Sequence, residues 1–196
     1  MNDLIRNFYS ENRRWARFIL KLFGLSIIFG AILYFFDPGL INQIADIFQS
    51  KFGPNPAQNA GLAREIFLQN SQAVALALFG GIILGLSSVL IVFFNGFIIG
   101  FVVLGILTAS GNFGRNLAEV SLGLLPHGIF ELPAFLAASA LGLRLGTEWL
   151  GKDAQGIRLR TLGHNLKRAI YAVPVLAILL IIAAFIEVFV SGNLIK

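Results

Sequence analysis

An all-α integral membrane protein with about five transmembrane helices is the fold class this sequence predicts, on three observations. Of 196 residues, 57% are hydrophobic and only 13% are charged, about half the charged share usual in soluble domains. The apolar residues fall into runs that match the ~20 helical residues needed to cross a ~30 Å hydrocarbon core. Between the runs stand Arg, Lys, Gly, Pro and Asn clusters, none long enough to build a soluble core of its own. One membrane domain over residues 1–196 is therefore expected, with spans at about 19–36, 71–92, 97–111, 122–146 and 169–190. Cysteine is absent, which excludes disulfides and thiolate metal sites. The net charge of +5 reads as topology signals and contacts with anionic lipids in the bilayer, with no nucleic-acid partner.

The first eighteen residues place Leu4, Ile5, Phe8, Trp15 and Phe18 near one helical face, with Arg6, Arg13, Arg14 and Arg17 around the others. This pattern predicts a basic amphipathic lead-in on the membrane surface, followed by an uncleaved first span from Ile19 to Phe36. After the turn Phe36-Asp37-Pro38-Gly39, the spacing of Leu40, Ile41, Ile44, Ile47 and Phe48 predicts a short amphipathic helix. Gly53-Pro54-Asn55-Pro56 ends it. From Ser71 to Gly111 no charged residue occurs, and a run of about 40 positions is long enough for two crossings. Phe93-Phe94-Asn95-Gly96 is the expected hairpin between them, because Asn and Gly tolerate the positive φ of a tight turn. Gly111–Ser121 reads as a connection, Leu122–Gly146 as the fourth span, Thr147–Arg168 as a basic loop and Ala169–Val190 as the last span, with Glu187 near its end.

Five spans put the termini on opposite sides. The segments sharing a side with the N-terminus hold most of the Lys and Arg, including Arg13, Arg14, Arg17, Lys21, Arg144, Arg158, Arg160, Lys167 and Arg168. The excess of cations predicts a multi-pass protein of the plasma membrane with the N-terminus cytoplasmic and the C-terminus extracytoplasmic.

The stretch Leu125-Pro126-His127-Gly128-Ile129-Phe130-Glu131-Leu132-Pro133-Ala134 sets two ionisable groups inside an apolar run. Such groups are costly in hydrocarbon unless they face protein, water or a partner. His127 and Glu131 are four apart, so on a helix they share a face. Pro126 suits a helix's first turn, and Pro133 removes the hydrogen bond to the Ile129 carbonyl, so a broken or kinked segment with a polar centre is expected. Asn70 and Asn95 are candidates to complete that centre, with Gln72, Asn112, Asn116 and Glu119 near its outer side. Small residues recur at intervals of four, as Gly96 with Gly100 and as Ala134, Ala138, Gly142 and Gly146. They predict close helix packing, either within the chain or across a homodimer seam. No cofactor is predicted. Zinc or another divalent metal stays open at His127 and Glu131, although His-x-x-x-Glu supplies only two ligands. His164 falls in the basic loop and reads as solvated.

The run at 125–134, Asn95-Gly96 followed by Gly100, and the Asn70-centred start of the second span together resemble the stage II sporulation protein M family, also called the DUF95 membrane family. The resemblance extends over nearly the whole chain and implies five spans and an inside N-terminus. In endospore formers the namesake works as a scaffold with two partners that cut peptidoglycan during engulfment. It therefore implies sporulation or cell-envelope remodelling, membrane anchoring and recruitment of envelope proteins, and no enzymatic activity. Similar proteins occur in bacteria and archaea that make no spores. A small-solute or ion transporter with a His/Glu polar centre is the competing expectation, and a membrane-embedded metalloenzyme is the third.

Overall fold

The structure, a computed structural model, describes residues 2–52, 59–109, 111–151 and 157–191; the side chains of residues 2–9, 45, 48, 49, 51, 52, 127 and 191 lie outside the description, as does the Gly53–Pro56 linker. Among the described residues the chain is helical with no strand. Its helices are α1 (Asn2–Phe36), α2 (Leu40–Phe52), α3 (Ala60–Phe79), α4 (Leu86–Ala109), α5 (Phe113–Thr147) and α6 (Arg158–Ile186). A π-helical turn, Glu187–Ser191, extends α6.

The surface lead-in and first span expected as separate pieces are one 35-residue helix, α1. No proline interrupts it, and arginine is a good helix former, so nothing divides the basic half from the apolar half. The turn at Asp37-Pro38-Gly39 stands as read, with the Asp37 carboxylate accepting from the Gly39 N–H at 3.2 Å, and α2 follows at the expected place.

The expected hairpin at Phe93–Gly96 is not a break: α4 runs through it from Leu86 to Ala109. Asn95 turns its side chain back on its own helix and donates to the Ile91 carbonyl at 2.8 Å. The chain reverses instead between Gly80 and Gly85, where Leu84 and Gly85 take φ of 56° and 72°. Two serines just beyond the reversal fasten it. Ser87 donates to the Leu76 carbonyl at 3.1 Å and Ser88 to the Ala77 carbonyl at 2.6 Å, satisfying groups that the end of α3 leaves open.

Helix α5 starts earlier than expected. Asn112 caps it by accepting from the Arg115 N–H at 3.1 Å, so only residues 110–112 separate it from α4. Pro126 is consequently deep inside the helix rather than in its first turn, and α5 continues unbroken past both Pro126 and Pro133. Prolines are tolerated within membrane helices because neighbouring groups satisfy the carbonyls they release. The path is not a straight antiparallel one. Gly85 meets Leu143, and Asn116 donates to the Leu107 carbonyl, so about 40 Å of α5 covers the depth of about 33 Å of α4. Helix α5 therefore leans or bends across α4 over its proline-bearing stretch. Helix α6 begins at Arg158, which turns much of the expected basic loop into its first three turns.

Glycine decides how the helices pack. A Cβ on Gly96 would strike Ser26, and one on Gly100 would strike the Ile27 carbonyl, so α4 lies directly on α1. Gly142 and Gly146 meet the backbone of Ala77 and Gly81 in the same way, seating α5 against the end of α3. Both small-residue seams are thus occupied within the chain. The core beside them is built from Ile19, Phe23, Leu78, Val92, Phe135, Leu141 and Leu180. Phe93, Phe97 and Phe101 form a ladder down α4 that meets Phe29 and Tyr34 of α1.

Among the described residues four helical stretches are long and apolar enough to cross a membrane: Ser10–Phe36, Leu86–Ala109, Gly128–Leu150 and Arg158–Val190. Helix α3, at 20 residues, has the length but carries Arg64, Glu65, Gln69, Asn70, Ser71 and Gln72 along its first two thirds.

Candidate functional site

The bundle holds polar side chains at two depths, and sequence reading singled out only one. The first centres on Glu131 of α5. The Asn70 side chain of α3 hydrogen-bonds its carboxyl, and Glu187, at the start of the π-helical turn after α6, is near enough for the two acids to interact electrostatically. Three elements thus converge there. Of the residues predicted for this centre, Asn70 and Glu131 meet. Asn95 does not join them, being bonded within α4. His127 lies one turn before Glu131 on α5, and its side chain is outside the description. Asn112 and Asn116 instead start α5 and tie it to α4, and Glu119 pairs with Arg115 at 3.0 Å on the surface. Gln72 is exposed.

Glu187 is the member that sequence reading left out of the centre. Its signal was available, since it is the lone acid of an apolar run, but which face it takes depends on the π-helical turn that it opens. Such turns are uncommon and often accompany functional sites. Among the described residues no group of three or more His, Asp or Glu side chains is placed to hold a metal ion.

The second centre is a clasp at the end of the bundle where α5 ends and α6 begins. Arg144 is buried, at 8% exposure, where an unpaired cation would be strongly disfavoured. It is fully engaged. Its Nε and Nη2 grip the Glu148 carboxylate at 2.8 and 3.1 Å, and Nη1 donates to Asn12 Oδ1 at 2.9 Å. The guanidinium also lies 5.0 Å from the Trp15 ring centroid, a cation–π distance. Trp15 donates to the Thr147 hydroxyl at 3.0 Å, Asn165 of α6 donates to Glu148 at 2.6 Å, and Arg168 pairs with Glu11. The start of α1, the end of α5 and the start of α6 are fastened together by this one network. Asn165 Oδ1 and Arg168 Nη1 are buried within it without a hydrogen-bond partner, a cost borne by few groups in native proteins.

A lone arginine in an apolar run, with an acid four residues later, is the sequence signal that pointed to this clasp. Sequence reading took Arg144 only as a topology charge. Glu131 stands midway along α5, about 27 Å from Phe113 and about 24 Å from Thr147, and Asn70 stands midway along α3. The first centre therefore lies within the bundle, and the clasp lies near the membrane interface at one of its ends. Trp15, in the clasp, fits the tryptophan preference for that interface.

Long apolar helices and backbone seams made by glycine define a multi-pass α-helical membrane protein. The family model of "Stage II sporulation protein M" matches residues 19–192, and the chain belongs to that family. An uncharacterized protein of Methanocaldococcus jannaschii is 31% identical over 179 residues, covering 89% of this chain and 92% of that protein. No solved structure matches the chain.

Proposed function

We propose that this protein is a scaffold of the plasma membrane, with its N-terminus cytoplasmic, that holds other membrane or envelope proteins and performs no chemistry of its own. The observation that supports the reading best is the way the helices are locked. Glycine seams bring α1 onto α4 and α5 onto α3 at backbone contact, and the clasp fixes α1, α5 and α6 at one end. A framework of this kind presents its connecting segments at set positions, as recruitment requires. In sporulating relatives the recruited partners are peptidoglycan hydrolases, and envelope enzymes of that class are the partners expected here. Helix α2 is the described segment best placed to meet them, with Asn42, Gln43 and Asp46 exposed. Photo-crosslinking from Asp46 in living cells tests this. A reproducible envelope-protein adduct, lost when the exposed face of α2 is replaced, is expected; adducts no richer than those from a lipid-facing position such as Ile178 would overturn the reading.

The Glu131–Asn70–Glu187 cluster favours a second reading, passage of protons or small cations. Acidic side chains from different helices meeting inside a membrane are a recurrent feature of ion pathways. Purified protein in liposomes decides between the two. Cation or proton flux that Glu131→Gln abolishes would replace the scaffold reading; no flux above empty liposomes would remove the transport one.

A further inference from the structure

Helices α1 and α6 both pack on α5 without closing over it, which leaves a slot facing the lipid between the two polar centres. Two adjoining hollows form it, of about 370 and 410 Å³. Both have Ala137 and Leu141 of α5 as floor. One is walled by Ala16 and Leu20 of α1, the other by Val175 and Leu179 of α6. Both reach Asn12 at the clasp, and the second also reaches the Glu11–Arg168 pair.

We propose that this slot is a binding site for an anionic phospholipid of the leaflet that holds the N-terminal end of α1, with acyl chains along Ala137 and Leu141 and the phosphate at the basic end. Length argues for a lipid over a partner helix. Along α5 the floor runs from Leu132 to Leu141, about 14 Å, which is half of a ~30 Å hydrocarbon core. That is the reach of one leaflet, whereas a transmembrane partner helix would need a seam of full depth. Charge argues for an anionic headgroup. The Asn12, Ala16 and Leu20 row of α1 lines the slot, and Arg13, Arg17 and Lys21 stand one position further round, all exposed. Among the described side chains the acids at this end, Glu11 and Glu148, are already paired with Arg168 and Arg144. Exposed cations at a membrane boundary attract anionic lipid, and here they border an apolar hollow of matching depth. The second hollow doubles the slot, as a lipid with two chains requires.

The test uses the full chain, delipidated in detergent and titrated with phosphatidylglycerol or phosphatidylcholine, with native mass spectrometry reading occupancy. Retention of phosphatidylglycerol several-fold above phosphatidylcholine is expected, and equal occupancy would overturn the proposal. Arg13→Gln with Arg17→Gln removes exposed charge without touching the core, so it should abolish the preference and leave the lipid-free melting temperature unchanged. Ala137→Trp fills the floor and should lower the occupancy of both lipids several-fold. Undiminished lipid binding in a folded Ala137→Trp variant would also overturn the proposal. So would a photo-crosslink from position 137 in membranes that captures a polypeptide instead of lipid.

Discussion

Arg144 shows most directly how one side chain organises this bundle. It is buried, and removing it would take from Glu148 and Asn12 the hydrogen bonds it donates and from the Trp15 ring the cation over its face. Breaking a buried pair from one side costs about 3 kcal/mol or more, so Arg144→Ala should lower the midpoint of thermal unfolding in detergent markedly. Exposed Arg115→Ala loses only a surface pair with Glu119 and should change stability by less than about 1 kcal/mol. Equal effects of the two substitutions would show that the clasp does not hold the helices. Glu131 is subject to the same logic at the other depth. Asn70→Ala removes the hydrogen bond to its carboxyl, with an expected loss of about 1–3 kcal/mol. Because the two residues act as a unit, Asn70→Ala with Glu131→Ala should cost less than the sum of the single changes. Additive costs in a double-mutant cycle would mean that they are independent.

Each helix owes its position to a few glycines, and those glycines differ sharply in what they tolerate. Gly142 faces the Ala77 carbonyl, so Gly142→Val must part α5 from α3, and overpacking of this kind costs about 1–3 kcal/mol. Gly163 of α6 has open space around it, and Gly163→Ala should stabilise by about 0.5–1 kcal/mol through helix propensity alone. Melting both variants side by side checks the seam. Leu84 offers a converse case, because a leucine at φ 56° is strained. Leu84→Gly should relieve roughly 1 kcal/mol, and a lower melting temperature would contradict that account of the turn. These glycines also show what was legible in the sequence. Composition and run length established the helical membrane class, and the spacing of Gly142 and Gly146 foretold a close seam. The position of the hairpin did not follow, because Asn95-Gly96 and Gly80 to Gly85 carry equally good turn chemistry. Only the packing partner separates them: Gly96 is required for contact with α1, whereas Gly85 is required for positive φ. The clasp was hidden for a similar reason, since Asn12 and Asn165 become meaningful only when α1 and α6 meet at Arg144.

Taken through its whole length, the chain shows why α3 must cross although its hydropathy is diluted. The hydroxyls of Tyr34 and Thr108 hydrogen-bond at 2.9 Å, which places the C-terminal ends of α1 and α4 on one side. Trp15 bonded to Thr147 places the start of α1 with the end of α5, and the Gly80–Gly85 turn lies against Leu143 and Thr147 on that same side. Helices α1 and α4 therefore run in the same direction, and α3 is the segment that returns the chain between them. Asn70, at its midpoint, is bearable there because it meets Glu131 inside the bundle. The absence of cysteine makes this directly measurable, since a single introduced thiol has no background. Cysteines at Ala60 and Gly111 should react with an impermeant maleimide from one side of the membrane, and cysteines at Ile83 and Gly151 from the other. The cation excess at the clasp end predicts that intact cells expose the first pair and open cells are needed for the second. The reverse pattern would invert the orientation and leave the fold intact. Labelling of Ala60 and Ile83 from the same side would mean that α3 does not cross, and the Tyr34–Thr108 and Trp15–Thr147 contacts could not then both exist in the membrane.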